Sequence, residues 1–445
     1  MNPLVIINVV GLTPALLPLA PTLSKLSAKP LTGVFPAVTM TAQASMLTGL
    51  PPSQHGVVGN TWYWRELGEV RNWVQSNRLL PEPFYRKAKR LSPAFTCAKM
   101  FWWFNQGSGC DWTVTPKPHY GSDGSKEFDI QTEPPELAEA LKRELGDFPF
   151  HAFWGPRAGL PSSDWIARAT AWVMRKNKPT LTLCYLPHLD YDLQRLGDKA
   201  DHARLVAEVD ACAKLVVDAA AETGAQVLLV SEYGIAAVSR AVTPNRALRN
   251  AGLLRVRGGP YGEMLDVFSS RAFAVCDHQC AHVYVQDPAD LLRARQAVGE
   301  LQGVARVLDR QQQAELQIDH PNSGELVLLS DADAWFAYPY WMDDAKAPDF
   351  ARSVDIHRKP GYDPCELFMD GSNAAAGATL LRKKLGLRYR FRTCPLDPSI
   401  VRGSHGLPAK DPSQGPIIAG SEPLPNQPAM TDLPEIALRA MGISG

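Results

Sequence analysis

Three short apolar runs constrain the fold of this chain more than anything else in it: residues 4–10 (LVIINVV), 180–186 (TLTLCYL) and 225–230 (AQVLLV). The first is continuous and apolar except for Asn8, and the other two are further candidate central strands. Continuous runs of this length suit strands buried on both faces of a parallel sheet. A helical pattern over residues 202–221 precedes the third run, and the polar turn Ser231-Glu232-Tyr233-Gly234 follows it. Strands alternating with helices imply βαβ units. The expected fold is therefore α/β, with a mostly parallel central sheet flanked by helices. Ligands of such sheets sit beyond the carboxyl ends of the strands, so each polar turn directly after a strand is a candidate piece of a site.

At 445 residues the chain exceeds the roughly 250–300 at which one core stops growing. It is expected to be one α/β domain over 1–445 carrying two insertions. Residues 61–163 are rich in Trp, Tyr, Pro and Gly with poor periodicity, and read as long loops packed over the site. Their Trp62, Trp64, Trp102 and Trp103 suit either a stacking wall for a base or sugar, or ordinary aromatic core. Residues 272–330 offer strand, helix, strand and strand, a small α+β cap.

Lys plus Arg equals Asp plus Glu, 46 each. A nucleic-acid polymer or a membrane surface would call for a basic excess, so neither is an expected partner, whereas a small phosphorylated substrate remains compatible. No apolar stretch approaches the ~20 residues that span a bilayer. The N-terminus lacks a basic n-region and reads as a strand rather than a signal peptide. The eight cysteines form no CxxC pair, and Cys276 and Cys280, four apart in CDHQC, are a faint metal signal beside the plainer reading of buried free thiols. The protein is expected to be cytoplasmic. Nothing in the sequence fixes an oligomeric state.

The chemistry concentrates in residues 35–60, FPAVTMTAQASMLTGLPPSQHGVVGN. Thr39 stands at the start of a helical stretch over residues 40–47. A helix N-terminus presents free amides and a favourable dipole to a phosphate. A hydroxyl there attacks phosphorus once a metal or a base makes it an alkoxide. Thr is equally at home there as a helix cap.

Pro36, Thr39, Thr48, Gly49, Pro52, His55, Gly56, Gly59 and Asn60 fall at the spacing of a Pro-x-x-Thr turn, a helix ending in Thr-Gly-x-x-Pro, and a His-Gly-x-x-Gly-Asn turn. In this the segment resembles the type I phosphodiesterases and nucleotide pyrophosphatases of the alkaline phosphatase superfamily. The likeness extends to the first strand and to residues 186–197, 228–235 and 403–406, while the insertions do not follow it. It implies an alkaline phosphatase-like fold, Thr39 as nucleophile, His55 and Asn60 as scaffold, and two zinc ions about 4 Å apart.

The implied metal ligands are only partly present. The first-strand Asp position is Val10, with Asn8 two residues earlier on the same strand face as a weak oxygen donor. An Asp and a His four apart become Asp190 and Gln194, with His188 and Asp192 near enough to substitute. Asp-His-Gly becomes Glu232-Tyr233-Gly234, where Tyr233 either coordinates as a phenolate or hydrogen-bonds the phosphate. The late His-Gly survives as His405 in GSHG, and the phosphate-binding Asn is Ala42. Losing nitrogen ligands while keeping oxygen ligands shifts the preference from Zn toward Mn or Mg, or toward one divalent ion rather than two; Zn, Mn or Mg and one or two ions all stay open.

Two further clusters are candidates for substrate binding. VDIHRKPGYDP supplies Asp355, His357 and Arg358, the last suited to a phosphate. CDHQCAH supplies Asp277 and His278, with His278 and His282 expected on one face of a strand. The resemblance as a whole implies metal-dependent hydrolysis of phosphodiester or pyrophosphate bonds in a nucleotide-like or other small phosphorylated substrate. Val10, Ala42, Gln194 and Tyr233 leave open a non-catalytic binder of a phosphorylated metabolite. Phosphotransfer on the same fold is a third possibility.

Overall fold

The N-terminal apolar run forms β1 (Leu4–Val9), all six residues buried, in a computed structural model that describes residues 1–443 except 123–124, 372–376, 378–380, 383, 388–391 and 422. The other strands of the central sheet are β2 (Ser27–Pro30), β3 (Cys97–Met100), β4 (Trp112–Tyr120), β5 (Lys126–Glu133), β6 (Leu181–Leu186), β7 (Gln226–Val230) and β8 (Ile417–Gly420). Their order is β2-β8-β7-β1-β6-β3-β4-β5. β1 lies at the centre, parallel to β6 and β7, with Leu4 opposite Leu181 and Gln226. β3 is parallel to β6 and β4, and only β2, β5 and β8 run against their neighbours. The three runs that read as doubly buried strands are thus the three adjacent central strands.

The helices that matter for the site are α1 (Thr39–Thr48), α2 (Leu160–Asn177), α3 (His188–Leu196) and α4 (His202–Thr223). α2 and α4 cover the sheet through Ile166, Val173, Val209 and Val216. α1 is unusual in burying nine of its ten residues, so its start lies inside the protein rather than at the surface.

Residues 61–163 correct the expectation of long loops. They supply β3, β4 and β5 of the central sheet. Periodicity failed for physical reasons. β3 is four residues long and carries Lys99, buried because its ammonium donates to the Phe104 carbonyl at 2.9 Å. β4 contains two prolines, tolerated toward the sheet edge.

Residues 272–330 hold a four-stranded antiparallel sheet of Ala272–Asp277, Cys280–Val285, Leu326–Ser330 and Val304–Leu308, covered by the helix Leu291–Gly299. This cap has its own core around Phe273, Val283 and Leu328. The hairpin turn between its first two strands is His278-Gln279, and it is buried rather than exposed. The Gln279 amide donates to the His405 carbonyl at 2.9 Å, which ties the tip of the cap to the central lobe. His278 is therefore a turn residue, which corrects its expected place on a strand face beside His282. Among the described residues no helix is long and apolar enough to cross a membrane. All eight cysteines are buried free thiols.

Candidate active site at the carboxyl ends of the central strands

Thr39 is the first residue of α1, and the N-cap position belongs to Val38, whose backbone is extended (φ −132°, ψ 155°) and whose side chain caps nothing. The amide that a cap would satisfy, that of Met40, donates instead to Asn60 Oδ1 at 2.9 Å. This frees the Thr39 hydroxyl, which lies 2.9 Å from the Tyr233 hydroxyl. His55 bonds Ser45 through Nε2 and accepts the Val57 amide at Nδ1, so it braces the turn rather than facing Thr39.

Glu232 and Tyr233 leave the end of β7, and a Cβ at Gly234 would stand 1.9 Å from the Gln414 carbonyl oxygen, so this turn admits only glycine. Glu232 Oε1 accepts from Asn8 Nδ2 and Gln43 Nε2, each at 2.7 Å, while Oε2 has no partner. Gln43 was not singled out from the sequence. The usable signal is its position four residues after Thr39, hence on the same helix face.

α3 begins directly after β6, so residues 188–196 are helical and not strand-like. Asp190 and Gln194 therefore lie one turn apart, with Gln194 Nε2 donating to Asp190 Oδ2 at 2.8 Å and Gln194 Oε1 accepting from the Tyr362 hydroxyl at 2.9 Å. The same helix sends His188 to Glu208 and Asp192 to Arg195 and Arg204, away from Thr39. Neither takes over for the imidazole missing at 194.

The late turn brings His405 against this edge. Its Nδ1 donates to the Ala37 carbonyl at 2.8 Å, and its Nε2 stands 3.8 Å from Asp190 Oδ1. Tyr233, His405, His278 and Tyr362 then form a ladder of four buried rings, stacked at its two ends and tilted by 35° between His405 and His278. Successive centroids are 3.6, 3.7 and 3.7 Å apart. The ladder joins the lobes, since Tyr233 and His405 come from the central lobe and His278 from the cap. Asp277 holds His278 Nδ1 at 2.6 Å, and Asn60 donates to Asp277 from its backbone (2.6 Å) and its side chain (3.3 Å).

Burial sets the electrostatics. It pushes the Asp190 carboxyl up to about 7, Glu232 up to about 8 and Asp277 up to about 6, and it holds His278 and His405 well below the usual imidazole range. A raised carboxyl binds its proton more tightly in the folded chain than in the unfolded one. For Glu232 the folded state carries the extra proton between the ordinary carboxylate range and pH 8. Stability should then fall as pH rises through that window. In the metal-free protein, urea midpoints should drop from about pH 5 to about pH 8, and Glu232→Gln should flatten the slope. An equal slope in wild type and variant would exclude Glu232 as its source.

The residues present do not fit a pair of metal ions. Val10 offers no donor, the Tyr233 hydroxyl is taken by Thr39, and Gln194 is held between Asp190 and Tyr362. Among the described residues no three His, Cys, Asp or Glu side chains are placed to hold an ion together. What the site does hold is a set of buried polar atoms that make no full hydrogen bond, Asn8 Oδ1, Asp190 Oδ1, Glu232 Oε2, His278 Nε2 and His405 Nε2, although the Thr39 hydroxyl faces Glu232 and the Tyr233 hydroxyl faces Asp190. Buried polar atoms are rarely left so, and these five are the ones that fall at the carboxyl ends of the central strands.

Asp355, His357 and Arg358 are not part of this cluster. Asp355 pairs with Arg358 at 2.6 Å, and His357 Nδ1 donates to the Asn72 carbonyl. Their hydrogen bonds fasten the segment before Tyr362 to the chain at Asn72, which also donates to the Ile356 and Lys359 carbonyls. Trp62 and Trp64 stack on each other (5.4 Å) and line a separate cavity of about 300 Å³ with His55, Arg78 and His320. Trp102 is core. The aromatic wall beside the ladder is instead Trp73, Trp103 and Trp154. Trp73 packs on Trp103 at 4.7 Å, and Trp73 and Trp154 pack on Tyr362.

A buried hydroxyl at a helix start, carboxylates and imidazoles at the carboxyl ends of parallel strands, and a cap closing over them define an alkaline phosphatase-like α/β protein. The profile of the family described as Type I phosphodiesterase / nucleotide pyrophosphatase matches residues 4–363, and the chain belongs to that family. Membership implies a phosphate-ester hydrolase, and such proteins typically use divalent metals. The fold is similar to murine ectonucleotide pyrophosphatase / phosphodiesterase 5, at a TM-score of 0.60 and 11% identity over 100% of this chain and 96% of that one. It is also similar to phosphonoacetate hydrolase from Sinorhizobium meliloti in complex with phosphonoacetate, at 0.61 and 16% over 99% and 96%. No curated protein matches.

Proposed function

We propose that this protein hydrolyses phosphodiester or pyrophosphate bonds of a small, nucleotide-like phosphorylated substrate, with Thr39 as the nucleophile. The observation that carries the reading is the Thr39 hydroxyl, spared from capping and held 2.9 Å from the Tyr233 hydroxyl at the buried start of α1. The helix terminus favours the negative charge of the phosphoryl group. The Glu232 carboxylate, fixed by Asn8 and Gln43, accepts the Thr39 proton as the oxygen attacks phosphorus. Tyr233 then donates to a phosphoryl oxygen, which replaces part of the positive charge that a second ion would bring. Trp73, Trp103 and Trp154 border the ladder and offer flat faces to a base or sugar. Release of nitrophenol from nitrophenyl mono- and diesters tests the reading. Added alcohol separates hydrolysis from transfer, because a transferase yields the new ester.

A second feature has its own support. Asp190 Oδ1 and His405 Nε2 are unpartnered lone pairs 3.8 Å apart. His405 donates its other ring nitrogen to a backbone carbonyl, as metal-bound histidines commonly do. These two residues would hold a single Mn, Mg or Zn ion, which would supply positive charge to the phosphoryl group. Elemental analysis should find one equivalent per chain, and activity lost to a chelator should return with that one equivalent. Two equivalents, or full activity in metal-stripped protein, would contradict it.

A further inference from the structure

The cavity of about 300 Å³ beside Trp62 and Trp64 has no part in the hydrolase reading, and none of Thr39, Asp190, Glu232 or His405 lines it. It lies on the seam between the lobes, walled by the turn at His55–Val57 on one side and by His320 and Asn322 of the cap on the other. We infer that this cavity binds a free amino acid with an aromatic side chain. The inference goes beyond the hydrolase reading and does not rest on it.

The ring has a place to pack. Trp62 and Trp64 stand two apart on the strand Thr61–Trp64, which sends both to one face. Their indoles stack at 5.4 Å and 17°, Trp62 buried and Trp64 half-buried. A flat ring that packs against such a pair gains both burial and ring-to-ring contact.

The charged head has partners as well. Arg78 and Glu66 line the same cavity and are both exposed, which puts them at its mouth. Among the described residues neither side chain has a hydrogen-bond or salt-bridge partner, and they do not pair with each other. Burial holds His55 down to about 3 and lowers His320, so both rings stay neutral and the lining carries one positive and one negative charge. Opposite charges that share a mouth unpaired are complementary to a ligand that brings its own ammonium and carboxylate, and less so to a simple anion or cation. The guanidinium fork matches a carboxylate through two parallel bonds, and the Glu66 carboxylate accepts from the ammonium. Two more N–H groups belong to the lining. His320 Nδ1 accepts the Asn322 amide at 3.1 Å, which places the ring proton on Nε2. Trp64 Nε1 is buried without a partner, a state that buried donors rarely keep.

Size and rigidity agree. A cavity of about 300 Å³ stands at the low end of the roughly 300–1,000 Å³ of small-molecule pockets, which favours a single amino acid over a nucleotide. The walls are fixed in advance. His55 is held by Ser45 and Val57, and Asn322 Nδ2 donates to the Gly56 carbonyl at 2.7 Å. His320 packs so closely on Gly56 that a Cβ there would stand 2.8 Å from the ring. Little ordering is then left for binding to oppose, and a ligand in place touches both lobes.

Calorimetry with L-phenylalanine tests the inference. One equivalent should bind to the wild type and raise its Tm. N-acetyl-phenylalanine lacks the ammonium and phenylalanine amide lacks the carboxylate, and each should bind ~10-fold more weakly or worse. L-alanine, which keeps the head and lacks the ring, should lose at least as much. Arg78→Gln and Glu66→Gln should fold normally, since neither side chain is bonded to the rest of the chain. Arg78→Gln should weaken L-phenylalanine ~10-fold and leave the amide unchanged, and Glu66→Gln should do the same toward L-phenylalanine and leave the N-acetyl compound unchanged. Thr39→Ala should bind as the wild type does. No binding at millimolar concentrations, L-alanine binding as well as L-phenylalanine, or both charge variants binding like the wild type would overturn the inference. Tighter binding of guanosine than of L-phenylalanine would make the cavity a nucleobase site and overturn it too. Loss of binding in Thr39→Ala would move the ligand to the active site, with the same consequence. None of these results bears on ester hydrolysis, so the two readings fail separately.

Discussion

Thr39→Ala is expected to abolish ester hydrolysis, lowering kcat by at least ~10³-fold, while the protein stays folded. On the proposed reading the hydroxyl is the one atom that bonds to phosphorus, so its loss cannot be shared among neighbours. Folding should survive because α1 is held by other means. The Met40 amide stays on Asn60, and eight other buried residues of the helix keep their packing. The cost is confined to a small void and one lost partner for Tyr233, about 1–3 kcal/mol. Thr39→Ser keeps the oxygen and should retain measurable turnover. If alanine and serine variants fall equally, or neither falls, the hydroxyl is not the nucleophile.

The largest effect on stability is expected at Lys359. Its ammonium lies between Asp363 Oδ2 (2.8 Å) and Glu366 Oε1 (2.7 Å), with all three side chains buried. Burial alone would strip the lysine of its proton. The two carboxylates outweigh it and hold the group well above the usual lysine range. Lys359→Met removes the charge at similar length and leaves two facing carboxylates in a dry site. Breaking a buried pair in this way costs about 3–5 kcal/mol. The segment also carries Tyr362, so the last ring of the ladder should loosen with it. Denaturant unfolding would check both, and a loss below ~1 kcal/mol would show that water reaches the cluster.

How far the sequence could be read follows from the same physics. β1, β6 and β7 were legible because burial on both faces leaves mostly apolar runs, broken only by Asn8 in β1, Thr182 in β6 and Gln226 in β7. β3 was not, because a four-residue strand with a buried lysine has no pattern to find. Thr39, Glu232, Asp190 and His405 were legible through the spacing of their motifs, and the structure brings them together. The sequence suggests Tyr233 as a metal-bound phenolate or a donor to phosphate, and its hydrogen bond to Thr39 is neither of these. His278 could be noticed but not placed, since CDHQCAH reads as a continuous strand and nothing marks a turn at a histidine with positive φ. Gln43 and the Gln194–Tyr362 contact arise from tertiary packing, which local pattern does not encode. Asp355 pairs with Arg358 and His357 bonds Asn72, and a cluster of charged groups looks the same in sequence whether it binds a ligand or fastens a loop.

The most direct test of the central claim is to quench turnover in acid and search the peptides by mass spectrometry for a phosphoryl or nucleotidyl adduct. The account predicts an adduct on Thr39 in the wild type, dependent on substrate and absent from Thr39→Ala. Steady turnover with no adduct on Thr39 under any quench, or with the adduct on another residue, would contradict it.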